Sequence, residues 1–197
     1  MTEGLRVGEV IEASTIGFTV QCYELYSIPP LGSLVKTSSG DTMLYAIVNG
    51  ATTSGIEPGR RPVARGRNQA SEEDIYRSNP QLKELLHSEF SALVVGGRQD
   101  GRVDHYLMPE PAHIHAFVYQ CSPNEIREFS QELGFLKMLL ASHTEVPAEE
   151  LIAATLRQLA GVYPDRRAFL VRAGRELSVL LGGEYGRLRT ILERIRE

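Results

Sequence analysis

Between Leu5 and Ala51 apolar and polar residues alternate in short runs separated by turn residues. Closely spaced period-two runs of this kind predict a small barrel or sandwich. Val7–Ala13 is the first predicted strand, and Ser14-Thr15 turns the chain. Phe18–Tyr23 alternates as a half-buried strand must, because successive side chains point to opposite faces. Pro29-Pro30 supplies no ladder donors and ends that strand. Leu31–Thr37 is the third predicted strand, Gly40-Asp41 a tight turn, and Met43–Val48 its hairpin partner.

The pattern then lapses. Thr52–Asn68 holds Gly, Pro and arginines with no apolar period, which predicts a long exposed connection. Ser71 followed by Glu72-Glu73-Asp74 predicts a helix start, with acids where the helix dipole favours them. Asn79-Pro80 predicts a second short helix through Leu86, with Leu82, Leu85 and Leu86 on the face that packs against the barrel. Strand periodicity resumes at Phe90–Val95 and stops at Gly96-Gly97. Asp100-Gly101 predicts a hairpin turn into Arg102–Leu107. After Pro109 and Pro111, Ile114–Tyr119 is the last predicted strand, with His115, Phe117 and Tyr119 on one face.

At Ser122 the period changes to that of a helix. Ser122-Pro123-Asn124-Glu125 predicts a capping box, and Ile126, Phe129, Leu133, Leu136 and Leu140 continue one helix to about Ser142, with Gly134 weakening but not breaking it. Pro147 opens the next helix, Pro164-Asp165 separates it from a third, and Gly182-Gly183 precedes a last amphipathic one. The predicted class is α+β. A small antiparallel barrel spans 1–121 with inserted helices at about 71–87, and a helical bundle at 122–197 docks against it.

Val7-Gly8-Glu9-Val10, then Leu31-Gly32-Ser33-Leu34-Val35, then the apolar strand ending at Val48 stand in an order that resembles the HAS barrel. That barrel lies at the N-terminus of HerA-type DNA translocases and of rotary ATP synthase subunits. The likeness covers roughly Leu5–Cys121 and implies a stand-alone barrel without the ATPase domain. It implies contacts with a second copy or with a partner such as an ATPase.

Composition adds limits. The 197 residues are 42% hydrophobic and 23% charged, enough apolar material for a real core. A formal net charge of −4 gives no global attraction to nucleic acid. No apolar run reaches the ~20 residues of a membrane span, and the first residues show no leader pattern, so a cytoplasmic protein without membrane contact is expected. Cys22 and Cys121 both fall in predicted strands and read as buried free thiols.

Candidate chemistry is sparse. A phosphate-cradling loop needs G-x-x-x-x-G-K-[ST], and the chain has none, so ATP hydrolysis does not carry over from the resemblance. Gly182–Arg187, the nearest glycine cluster, reads as a helix-breaking turn. His113 and His115, two apart on a predicted strand, share a face; with His105 they are the weak candidates for a metal site. Cys121 precedes a helix N-terminus, a place that can activate a thiol, but is equally a hydrophobic-staple position. No catalytic residue and no cofactor emerges. The strongest candidates are Arg60, Arg61, Arg65 and Arg67, four guanidinium groups in one exposed connection, suited to an acidic partner surface or to phosphates. No aromatic residue interleaves with them, as single-stranded nucleic acid would require. The leading expectation is therefore a non-catalytic interaction or assembly protein that binds a protein partner or itself. A nucleic-acid accessory stands second and a metal-dependent enzyme using the histidine face third.

Overall fold

The computed structural model describes residues 4–57 and 61–195. Its strands are β1 (Arg6–Ala13), β2 (Gly17–Cys22), β3 (Leu34–Ser39), β4 (Thr42–Gly55), β5 (Leu86–Gln99), β6 (Arg102–Asp104) and β7 (Phe117–Gln120). They pair antiparallel in the order β2-β1-β7-β3-β4-β5, and β2 then pairs with β5. Six strands thus close a barrel, which removes the edges an open sheet would leave to other chains. β6 lies on the same edge of β5 as β2, farther along the strand. The helices are α1 (Glu72–Ser78), α2 (Pro123–Phe129), α3 (Phe135–Ala141), α4 (Ala148–Ala160), α5 (Arg166–Leu180) and α6 (Tyr185–Ile195), with a 3-10 turn at Pro80–Glu84.

Two apolar clusters hold the molecule together. Val10, Phe18, Val20, Val35, Leu44, Val48, Phe90 and Val118 fill the barrel interior. Leu34, Tyr45, Ile47 and Val95 point the other way, into a second cluster with α2 to α6. This explains the unbroken apolar run in β4: Leu44, Ala46 and Val48 face inward, while Tyr45 and Ile47 meet helices. A strand buried on both faces has no polar side to show. Fully burying each such Leu or Ile side chain stabilises by ~1.5–3 kcal/mol. The segments on either side of Ser122 therefore share one core.

Local chemistry at several predicted ends is realised. The Ser71 hydroxyl accepts from the Asp74 N–H at 3.2 Å. Ser122 and Glu125 form the reciprocal capping box, and Asp165 caps α5 through the Ala168 N–H at 2.8 Å. Asp100 and Gly101 take φ of 51° and 79° in the β5–β6 turn, the pair of positive φ values that a type I′ hairpin demands.

Other boundaries differ from the sequence expectation, each for a physical reason. β3 begins only at Leu34, because Gly32 turns at φ 82° and its N–H is taken by the Val48 carbonyl. β4 runs to Gly55, pairing with β5 as far back as Leu86, so the predicted connection starts later than Thr52. β5 passes straight through Gly96-Gly97, where the Met108 side chain packs so close that a Cβ on Gly97 would lie 2.6 Å from its Cγ. The predicted strand at Ile114–Ala116 is a turn, with His115 at φ 66°, and β7 starts at Phe117.

The single helix expected from Ser122 to Ser142 is two helices, broken between Ser130 and Gly134. In one continuous helix Phe129 and Phe135 would project ~120° apart. The break lets both rings reach the same core, with centroids 5.2 Å apart. Asn79 does not cap the 3-10 turn; its Nδ2 donates back to the Ile75 carbonyl at 3.0 Å. Tyr185, the first residue of α6, is 80% exposed.

Candidate functional site

The arginine connection is exposed, as expected, with only Gly66 half-buried among residues 61–70. Arg61, Pro62, Val63 and Arg65, with the short helices that follow, the last residues of β4 and the first of β5, line an open groove of about 540 Å³. Val63, Ile75, Tyr76, Leu82, Leu85 and Leu86 give it an apolar lining, and Tyr26 joins from the link between β2 and β3. The Tyr26 and Tyr76 hydroxyls lie 2.5 Å apart. That hydrogen bond, with burial second, pushes the Tyr76 phenol up to about 12. Gly66 allows the connection to lie on α1, since a Cβ there would meet Ile75 Cδ1 at 2.8 Å. Leu82, Leu85 and Leu86, expected together on one helix face, line this groove; Leu86 is the first residue of β5, and Leu85 stays 48% exposed. A volume in the ~300–1,000 Å³ range with apolar walls and few polar groups is the usual form of a binding site.

Of the four candidate arginines, Arg61 and Arg65 line the groove, and Arg65 Nη1 donates to Asn79 Oδ1 at 3.3 Å. Arg67 is exposed and is not among the lining residues. Arg60 lies outside the described residues. Glu57 and Glu72 line the same groove, so the carboxylates offset the guanidinium groups. The groove is apolar with charges of both signs at its lining.

The histidine face is not built. His113 and His115 are exposed in and beside a turn rather than on a strand, and His115 Nδ1 lies 3.1 Å from Glu9 Oε2. His105 faces the core, edge-on to Phe129 and Phe135 with centroids 4.6 and 5.5 Å away. Burial holds its pKa below the ordinary value. Among the described residues no group of three or more His, Cys, Asp or Glu is arranged to hold a metal ion.

The thiols are equally quiet. Both are buried and unpaired. Burial, then Glu89, drives Cys22 up to about 11, and burial, then Glu125, drives Cys121 well above the ordinary thiol range. Cys121, buried just ahead of α2, is the opposite of an activated nucleophile. Gly182 and Gly183 have φ of 46° and 110° and form the turn between α5 and α6.

One arrangement escaped the sequence reading. On the outer face of β1 and β7, the Arg6 guanidinium stands 4.8 Å from the Phe117 ring centroid and 5.3 Å from that of Tyr23. The three residues come from separate parts of the chain, so no local motif announces them. The same is true of Tyr26 and Tyr76 in the groove.

Two features bear on membranes and relatives. No helix among the described residues is long and apolar enough to cross a membrane. No protein-family model matches the chain, and no curated protein matches it.

Proposed function

We propose that this is a non-catalytic interaction or assembly protein, built on a HAS-like barrel, that grips an apolar-anchored segment of a protein partner. The observation that carries the reading is the groove beside the end of β4 and the start of β5. Its walls are Val63, Leu82 and Leu85, and Arg61 and Arg65 stand among them. Exposed apolar side chains gathered into one concavity gain stability by excluding water from a partner's side chains. The charges around them fix orientation more than they add affinity. The resemblance of residues 5–121 to HAS barrels makes an ATPase, or a second copy, the first partner to try.

The test places a photo-reactive benzoylphenylalanine at Leu85, and at exposed Leu5 as a control, in the source cells. A discrete adduct at Leu85 is expected, and the purified partner should bind the wild-type chain. L82D/L85D should weaken that binding at least tenfold while the thermal melt stays unchanged. Replacing Arg61 and Arg65 by Ala should weaken it less, because Glu57 and Glu72 already offset their charge. Adducts at Leu85 no different from those at Leu5 would sink the reading.

A second reading, a nucleic-acid accessory, is favoured by the Tyr23–Arg6–Phe117 arrangement. Rings interleaved with a cation are what base stacking uses, at ~1–3 kcal/mol per base. It ranks second because Glu9 pairs across from Phe117 on the same strands. Fluorescence anisotropy with labelled single-stranded DNA decides it: binding that weakens in F117A and Y23A supports it, and none at physiological salt removes it.

A further inference from the structure

We infer that the outer face of α5 is a docking surface for an acidic amphipathic helix of a partner protein. The chain as a whole carries −4, yet the fifteen residues of α5 hold four arginines and one glutamate, a local +3 (4 − 1). Arg172 is used internally: it donates to the carbonyls of Gln131 and Ser130 and stacks on Phe169. Arg166, Arg167 and Arg175 are exposed, and no carboxylate among the described residues lies within ion-pair distance of them. Their neighbours on α6 are treated differently. Arg187, Arg189 and Arg194 are each paired, with Glu149 and Glu184, with Glu193, and with Glu150.

The position of the unpaired arginines is also unfavourable for a helix alone. Arg166 and Arg167 open α5, where the first turn holds no acid and the macrodipole disfavours cations. An external carboxylate would relieve both conditions. Asp165, the cap, and Glu176 are the acids adjacent in sequence.

The stripe has apolar content as well. Arg167, Val171, Arg175 and Val179 follow at four-residue steps, so they line one face of the helix. Val171 is 46% and Val179 76% exposed. The two arginines stand ~12 Å apart along the axis. A partner helix with carboxylates about two turns apart and apolar residues between and beyond them would meet all four. The valines argue against a phosphate backbone, which offers them nothing to bury. The apolar stripe of α5 that a membrane would need (Phe169, Ala173 and Leu177) is already spent in the core.

The test uses the full chain and a fluorescein-labelled 22-residue helical peptide with Glu eight positions apart and Leu between and beyond them. Controls are its scrambled form, its Glu→Lys form, a 20-base-pair DNA duplex and vesicles containing phosphatidylserine. Anisotropy should show saturable binding of the acidic peptide alone. R167E/R175E and V179D should each weaken it at least tenfold, while L82D/L85D in the groove leaves it unchanged. Circular dichroism melts of all variants should overlay, and R189A, on α6 outside the stripe, should bind as wild type. Binding no tighter than the scrambled peptide, or binding of duplex or vesicles as tight as that of the acidic peptide, would overturn the inference.

Discussion

His105 Nε2 donates to the carbonyl oxygen of Phe129 at 3.0 Å, tying the end of β6 to the end of α2. The imidazole packs against Phe129 and Phe135, and a Cβ on Gly134 would sit 3.1 Å from its Nδ1. Burial lowers its pKa from 6.5, opposed by the Phe129 hydrogen bond, Glu132 and Asp104. A group whose folded pKa is lowered makes the unfolded chain the better proton binder as pH falls. Its contribution is full above about 6.5 and declines as pH drops from there towards the folded value. The urea midpoint of the wild type should therefore fall between pH 7 and pH 5, and H105F should flatten that part of the profile. An unchanged slope in H105F would assign the titration elsewhere.

Lys36 and Glu125 form an ion pair that joins β3 to α2. Glu125 also accepts from the Ser122 N–H and hydroxyl at 2.9 and 2.8 Å. Burial acts to raise the Glu125 pKa, but the Lys36 hydrogen bond and those from Ser122 outweigh it and hold it below the ordinary carboxylate value. The stability it contributes is present above that value and lost as pH falls below it. E125Q leaves the Lys36 ammonium, 12% exposed, without its anion, at a cost of ~1–3 kcal/mol. Denaturant unfolding at pH 7 should show that loss, shrinking by pH 3.

Gly32 and Gly40 both have positive φ, 82° and 55°, yet they should respond differently to alanine. A Cβ on Gly32 runs into the α4 backbone at Ala154 and Thr155, whereas one on Gly40 meets nothing within 4 Å. G40A bears only the left-handed strain, ~1–2 kcal/mol. G32A adds a clash that neither backbone can relieve, and the expected loss is ~3 kcal/mol or more. Melting curves of the two variants measured side by side make the comparison.

Neither thiol should react in the folded protein. Burial keeps Cys22 and Cys121 protonated at pH 8 and out of reach of solvent, and the thiolate is the reactive form. Ellman's reagent should release less than one equivalent in buffer over an hour and two in 6 M guanidinium. Rapid reaction at Cys121 in buffer would contradict the packing ahead of α2.

The sequence by itself determined the elements whose signal is local. The alternation in Phe18–Cys22, the Asp100-Gly101 turn, the capping box at Ser122 and the break at Gly182-Gly183 all rest on contacts within a few residues. Tertiary structure decided what depends on residues far apart. Barrel closure joins Gly17–Gln21 to Glu89–Leu93, about seventy residues away. The strand runs on through Gly96-Gly97 because these residues pair with Tyr45, Leu44 and Asp104, and the break in the helix after Ser122 brings Phe129 and Phe135 into one core. For the candidate site, the chain showed four arginines without aromatic neighbours; folding set Tyr26 and Tyr76 beside Arg61 and Arg65, and set Tyr23 and Phe117 around Arg6. Period and capping act over one turn of chain, but a groove is defined by which distant turns the core brings together.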